Sequence, residues 1–507
     1  MLSAIKRLIA LRRLSQTVFI SLFIYILWST TYPLKGALPP ETFFRINPLI
    51  TIFTSISERI MIPGVFLSII MLALTAVFGR FFCGWVCPLG TVMDVCSSIK
   101  KAKFRERDAA NSKLRAVKFF ILGVIAAASF VGLQIAWVFD PMGIMARFVS
   151  MNLIPIATSL MNTIFKILIR GFGLYGPLHD LYRSLKFSVL GVEVHFFSHS
   201  VSIFLFFAFI CAMVIVVRRF WCRTLCPLGA IYSITARLAP LKLTVDDCEK
   251  CHVCKKECRM GAIKENLSYL QGECILCMDC IYNCPRKSMR FSWRKKDKKE
   301  VNSGPGGGDA GGGISRRQFI TLLFSSAFLL GFKKNIIGIR RPRNVIRPPA
   351  ALGERDFTDR CIRCGNCMKV CITNGLQPVM LQEGLGGIWT PHLVPEIGYC
   401  EYNCTLCGNV CPTGAIRRIT AEEKKITRLG LAKIDQSLCV PWAQDKHCIV
   451  CQEHCPVSEK AIKLKKKIVG DETILMPYID EVLCVGCGIC QNKCPVRPVR
   501  AIRVSPV

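Results

Sequence analysis

Twenty-four of the thirty cysteines in this 507-residue chain fall into six groups of four, all after residue 247. Cys248, Cys251, Cys254 and Cys258 are followed by Cys274, Cys277, Cys280 and Cys284, and both groups are spaced C-x2-C-x2-C-x3-C. Short loops between the first three cysteines let the backbone wrap one face of a four-iron cube, while the fourth, offset by three residues, reaches a neighbouring cube. Cys284 is therefore expected to complete the first trio and Cys258 the second. Arg259 stands where a proline is usual; proline shapes that turn but is no ligand. Zinc suits a lone C-x2-C pair, yet zinc knuckles do not account for repeated tight triplets. An oxidised scaffold would space its cysteines irregularly. The pattern points to thiolate-held [4Fe–4S] clusters.

Four more groups follow. Cys361, Cys364, Cys367 and Cys371 keep the regular spacing, as do Cys484, Cys487, Cys490 and Cys494. In Cys400, Cys404, Cys407 and Cys411 the first gap is one residue wider; in Cys439, Cys448, Cys451 and Cys455 it holds eight residues, Trp442 among them. Wider first gaps are loop insertions that leave the remaining triplet intact. Two pseudo-symmetric two-cluster units are expected, with the first group paired to the fourth and the second to the third. The recurring Gly414-Ala415-Ile416, Ala461-Ile462 and Ala501-Ile502 read as short core strands after the cluster loops.

The six remaining cysteines include a near-repeat: "RFFCGWVCPLG" at 80–90 and "RFWCRTLCPLG" at 219–229. Cysteines four apart share a face if a helix continues through them. Cys83, Cys87, Cys222 and Cys226 are thus candidates for one additional iron or iron–sulfur centre. The plainer reading is a pair of turns that end helices at Pro88 and Pro227. Cys96 and Cys211 read as buried free thiols.

The elements that carry these groups follow from hydropathy and charge. A mean hydropathy of +0.39 beside a formal charge of +33 reflects segregation, because the apolar residues concentrate before about residue 240. Stretches near 17–37, 61–79, 117–139 and 199–217 are long and apolar enough for spans. Lys6, Arg7, Arg12 and Arg13, and the eight lysines and arginines of 100–118, mark the cytoplasmic side, whereas the loop 38–60 holds only Arg45 and Arg59. The connection 140–198 then lies outside, with 148–169 as an interfacial helix; a fifth span there is the competing topology. Residues 294–314 are a charged, then Gly-rich, linker. "SRRQFITLLFSSAFLLGF", 315–332, has the look of a twin-arginine export signal in mid-chain, here an uncleaved anchor. The fold class expected is an α-helical membrane bundle of four spans plus an internal signal-anchor, joined to α+β ferredoxin-like iron–sulfur domains. The expected boundaries are 1–239 for the membrane domain, 240–293 for a cytoplasmic two-cluster domain, 294–314 for the linker, 315–340 for the anchor and 341–507 for a periplasmic four-cluster domain. Six clusters of net charge −2 each bring the balance to about +21, and much of the rest flanks apolar segments, so the charge is no nucleic-acid footprint.

Residues 1–290, with the twin C-x3-C-P motifs and the two-cluster pattern, resemble the NapH family of membrane quinol-dehydrogenase subunits. Residues 315–507 resemble the NapG/MauM family of exported ferredoxins, so the chain is similar to a fusion of two usually separate partners. The resemblance implies six [4Fe–4S] clusters on both faces of a bacterial inner (cytoplasmic) membrane. It also implies electron transfer between the quinone pool and a periplasmic cytochrome or reductase, as an electron-transfer subunit of a quinol dehydrogenase or larger complex. Asp140, Arg147, His195 and His199 are candidates for an outer quinone site. None of the seven histidines lies in the first three expected spans, which argues against a bis-histidine haem. The alternative is an assembly or metal-reducing factor, since the N-terminal half also resembles the RdxA/CcoG family, which lacks the four-cluster module.

Overall fold

The computed structural model describes residues 2–293 and 345–507, apart from 35, 37, 63, 100–112, 172–175, 187–194, 246–247, 265–266 and 383, together with Ile320 and Phe324. The expected linker and nearly all of the signal-anchor lie outside the described residues, as do Lys35 and most of the basic loop after residue 99. The chain divides into two compact units. The first takes the described residues of Met1–Ile26, Thr42–Phe148 and Ser202–Ile337, and the second those of Leu27–Glu41, Val149–Val201 and Gly338–Val507.

Apolar runs give the helices α1 (Leu2–Ser29), α2 (Pro48–Glu58) and α3 (Val65–Phe78), followed by α4 (Pro88–Ile99) and α5 (Ala116–Phe130). Then come α6 (Pro141–Gly171), α7 (Ser200–Val216) and α8 (Pro227–Thr235). Ile5–Ser29 and Pro141–Gly171 are long and apolar enough to cross a membrane. α3, α5 and α7 are apolar but have 14, 15 and 17 residues, against about 20 for a full hydrocarbon core. By length, then, two helices among the described residues, rather than four, meet the requirement. The first expected span, 17–37, starts earlier and ends at Ser29, just before Pro33, whose ring cannot continue a helix. The third ends at Phe130 rather than 139, with Gly132 at φ 83° behind it. The stretch expected to be interfacial is part of the continuous α6, where a π-helical turn, Val149–Leu153, carries the chain up to Pro155.

In the first unit, β1 (Leu241–Val245) pairs antiparallel with β2 (Met289–Trp293), from Leu241 opposite Trp293 to Val245 opposite Met289. This two-stranded sheet brackets both cysteine groups. Leu243, Ile263, Ile281 and Met289 pack with Cys254, Cys280 and Ile5 of α1 into one core.

In the second unit, β3 (Leu376–Pro378) pairs with β4 (Pro391–Leu393), and β5 (Leu431–Ile434) with β8 (Ile502–Ser505). β6 (Ile462–Val469) and β7 (Glu472–Ile479) form a hairpin. Ile462 and Ile502 open strands, as expected, and are buried beside Ala461 and Ala501. Ile416 is buried too, but makes only an isolated bridge to Ala351. Residues 27–41 and 149–201 belong to this unit through polar contacts: Lys369 donates to the carbonyls of Trp28 (3.1 Å) and Thr30 (2.8 Å), and Arg418 meets Glu41 at 3.1 Å. Asn374 Nδ2 donates to Phe196 O at 2.8 Å, and His195 Nε2 lies 2.7 Å from Cys371 O.

Candidate iron–sulfur centres

Each regular cysteine loop is shaped by two left-handed residues, two and four positions after its first cysteine. They are Lys250 and His252, Leu276 and Met278, Arg363 and Gly365, and Gly486 and Gly488. Such alternation turns successive N–H groups toward a common centre, the arrangement that binds anionic groups; Lys250 N, for example, donates to Cys248 Sγ at 3.4 Å. Left-handed backbone is strained for the non-glycine residues, a cost that cluster binding offsets. The groups with widened first gaps lack this pair of turns. In the third group the extra residues form the one-turn helix Val440–Gln444, whose Trp442 donates to Pro477 O at 3.2 Å.

The cysteines assemble as three plus one. Cys274, Cys277 and Cys280 line a cavity with Cys258, walled by Leu243, Ile263 and Phe291. Cys254 lies within electrostatic reach of Cys248, Cys251 and Cys284, so the exchange of fourth cysteines read from the spacing is the one observed. The four later groups interleave differently from expectation. Cys361, Cys364 and Cys367 share a cavity with Cys411, and Cys400, Cys404 and Cys407 share one with Cys371. Cys439, Cys448 and Cys451 share one with Cys494, while Cys487 lies near Cys484 and Cys455. The first group is thus paired with the second and the third with the fourth. The physical reason is reach: each fourth cysteine follows its triplet by one helical turn and projects into the adjacent loop, Cys371 and Cys455 into the following one and Cys411 and Cys494 into the preceding one.

The donor sets fit a cationic cluster core. Burial pushes the Cys274 and Cys487 thiols up to about 11 and those of Cys400 and Cys451 up to about 12, with neighbouring thiols adding repulsion. A bound cation relieves that penalty. The thiols line shared cavities in fours, the donor set of an iron–sulfur cluster.

The twin motifs meet inside the first unit. Arg80 Nη2 donates to Cys222 O at 3.0 Å and Arg219 Nη1 to Cys83 O at 2.9 Å, a reciprocal exchange between equivalent positions. Cys83, Cys87, Cys222 and Cys226 are all buried. Cys87 lies within electrostatic reach of Cys83 and Cys222, and Cys226 of Cys222 and Cys83. The prolines do not merely end helices: Pro88 and Pro227 begin α4 and α8, so the cysteines are not on one continuous helical face. Cys226 caps α8, accepting from Gly229 N at 3.3 Å, and Gly90 N makes the matching contact to Cys87. Both glycines are required by packing. A Cβ on Gly229 would sit 2.2 Å from Arg80 Nη2, and one on Gly90 2.7 Å from Cys83 O. Cys96 and Cys211, read as buried free thiols, are only half-buried and are in side-chain contact with each other.

Several residues carry the arrangement without a sequence signal of their own. Arg219 clamps Asp94 with two 2.7 Å bonds. Arg259, the residue in the usual proline position, reaches the same carboxylate at 3.1 Å and also pairs with Asp279. Glu273, next to Cys274, receives Arg80 at 3.1 Å and Lys118 at 2.5 Å. The four quinone candidates are divided between the two units. Asp140 is fully buried and accepts from Asn47 Nδ2 (2.5 Å) and Gly143 N (2.7 Å), while Arg147 donates to Trp137 O at 3.1 Å. His195 and His199 belong to the other unit.

Paired three-plus-one thiol cavities on short two-stranded sheets define a ferredoxin-type iron–sulfur protein. A family model described as a 4Fe-4S binding domain matches residues 60–105, 200–245 and 407–428, and a second of the same description matches 477–500. The ferredoxin-type protein NapG of Escherichia coli is 35% identical over 167 residues, 32% of this chain and 71% of that protein. The methylamine utilization ferredoxin-type protein MauM of Paracoccus denitrificans is 30% identical over 163 residues, again 32% of this chain and 71% of the relative. An uncharacterized protein of Methanocaldococcus jannaschii, MJ0750, is 27% identical over 288 residues, 56% of this chain and 96% of its own length. The chain belongs to the family of the ferredoxin-type proteins NapG and MauM. No solved structure matches it.

Proposed function

We propose that this chain is a membrane-bound conduit that links the quinone pool to a periplasmic redox partner through six [4Fe–4S] clusters. The cluster ligands are the twenty-four cysteines of the six groups. The observation that carries the reading is their three-plus-one interleaving, which sets clusters in pairs, each sharing the short stretch between a triplet and its fourth cysteine. Such pairing suits electron relay. The membership of the two units supports clusters on both faces of an inner membrane. Residues 27–41 and 149–201, which charge bias puts outside, group with the four-cluster part, and Ile5, from the basic N-terminus, packs in the two-cluster core. The proposed topology is multi-pass, four crossings plus the mid-chain anchor, with α6 along the outer boundary. The partner is a periplasmic cytochrome or reductase within a larger redox complex.

The test is a reduced-minus-oxidised titration of the full chain with a quinol analogue. Reduction of the clusters by quinol supports the conduit; clusters that respond to dithionite but never to quinol refute it. The meeting of the twin motifs beside a two-cluster domain also suits the assembly or metal-reducing role. A deletion strain separates the two: a copper enzyme lacking its metal favours maturation, and an intact but electron-starved partner favours the conduit.

A further inference from the structure

Each of the two stretches that match the first family model around the twin motifs offers a single C-x3-C pair. Neither can ligate a cluster by itself. The structure joins them: two thiols from each motif, all buried, lie around a pseudo-two-fold arrangement made by the crossed Arg80 and Arg219 bonds. Three further observations point to an anionic occupant. Arg80 Nε donates to Cys83 Sγ at 3.3 Å. The buried cations Arg80, Lys118 and Arg219 share only the carboxylates of Glu273 and Asp94, which leaves positive charge for thiolates to balance. The Tyr232 hydroxyl, fully buried and within electrostatic reach of Cys83, Cys87 and Cys226, has no hydrogen-bond partner.

We propose that Cys83, Cys87, Cys222 and Cys226 together hold one further iron–sulfur centre, shared between the motifs and coupled to the cluster at Cys258, Cys274, Cys277 and Cys280. The inference rests on the iron–sulfur reading above. Contact between the two sites is direct. A Cβ on Gly84, between Cys83 and Cys87, would fall 2.3 Å from Ile275 O, between Cys274 and Cys277. Trp85 Nε1 donates to Leu276 O at 3.2 Å, and Arg80 bonds both Cys83 and Glu273. With both groups bound, the contact between these residues would serve a one-electron exchange, one centre losing the electron the other gains, with no bond made or broken and no proton carried. Tyr232 is a positioning residue whose unpartnered hydroxyl is available to donate to a thiolate of the occupied centre.

The experiment uses the full chain, purified anaerobically in detergent, with iron analysis and electron paramagnetic resonance of the dithionite-reduced protein. Replacing Cys83, Cys87, Cys222 and Cys226 by serine should lower iron by about one seventh if the shared centre has four irons. It should leave the six other signals, and it should remove the magnetic broadening of the neighbouring cluster. Unchanged iron and line shape, with six signals present, overturn the shared centre alone. Absence of the six signals from the unaltered chain overturns the conduit reading instead. Should the quadruple variant fail to fold, C87S and C226S separately should disturb the same spectral component; two different components would disprove sharing. Tyr232→Phe should keep the iron and lower the potential of that component alone, whereas a purely structural tyrosine would leave the potential unmoved.

Discussion

Glu273 shows how much of this protein rests on single buried carboxylates. It accepts from Arg80, Lys118 and Ser233 while holding the backbone next to Cys274. Removing one member of such a set strands the opposite charges without water, which costs about 3–5 kcal/mol. Glu273→Gln should therefore loosen the two-cluster domain, seen as earlier thermal loss of its cluster signals while those of the second unit keep their midpoint. His392 offers a pH test at the same scale. Burial, with repulsion from Arg347 and His199, holds its imidazole down to about 4 from an ordinary 6.5. The unfolded chain then binds the extra proton between those values, so this residue's contribution is intact above pH 6.5 and is lost as pH falls toward 4. His392→Gln should flatten the dependence of second-unit stability on pH over that window by roughly 1–3 kcal/mol, measured as the denaturation midpoint at pH 5 against pH 7.

Among the elements, the cysteine loops were the most legible part of the chain, because ligand spacing is a local constraint that leaves its mark within a dozen residues. The exchange between Cys258 and Cys284 could be read that way. The partnering of the later groups could not, since either arrangement satisfies every local spacing and only the chain's path between β3 and β8 decides it. The observed pairing has a spectroscopic consequence. Cys371→Ser should alter the cluster set of Cys400, Cys404 and Cys407 and spare that of Cys361, Cys364 and Cys367; the opposite pattern would contradict the cavities. The prolines of the twin motifs were read as helix ends from their own chemistry. That they begin α4 and α8 depends on the N–H bonds from Gly90 and Gly229 to the cysteine sulfurs, which no propensity encodes. Arg259 was visible only as a departure, and its purpose is a carboxylate more than 160 residues earlier in the chain.

For the whole molecule, hydropathy located the apolar segments but not their ends, because Pro33 and Gly132 stop helices that composition alone would prolong. The long α6 was under-read for the opposite reason: Pro155 looks like a break, and a π-helical turn absorbs it. The grouping of 27–41 and 149–201 with the four-cluster part gives the sidedness test its force. Reporter fusions at Gly307 and after Val507 should report opposite compartments, and the same compartment at both would defeat the topology.

Pairing each cysteine group with its immediate successor also fixes an order of manufacture. Once a ribosome has passed Cys411, every thiol for the first two sites of the second unit has been delivered, and nothing beyond is needed to close them. The last two sites wait for Cys494. Iron can therefore be installed vectorially, one pair at a time, as synthesis proceeds. A first-to-fourth arrangement would instead have held the first site open until Cys494 appeared, and the two middle sites until Cys455. Chains starved of iron late in synthesis should be loaded at Cys361–Cys411 and empty at Cys439–Cys494.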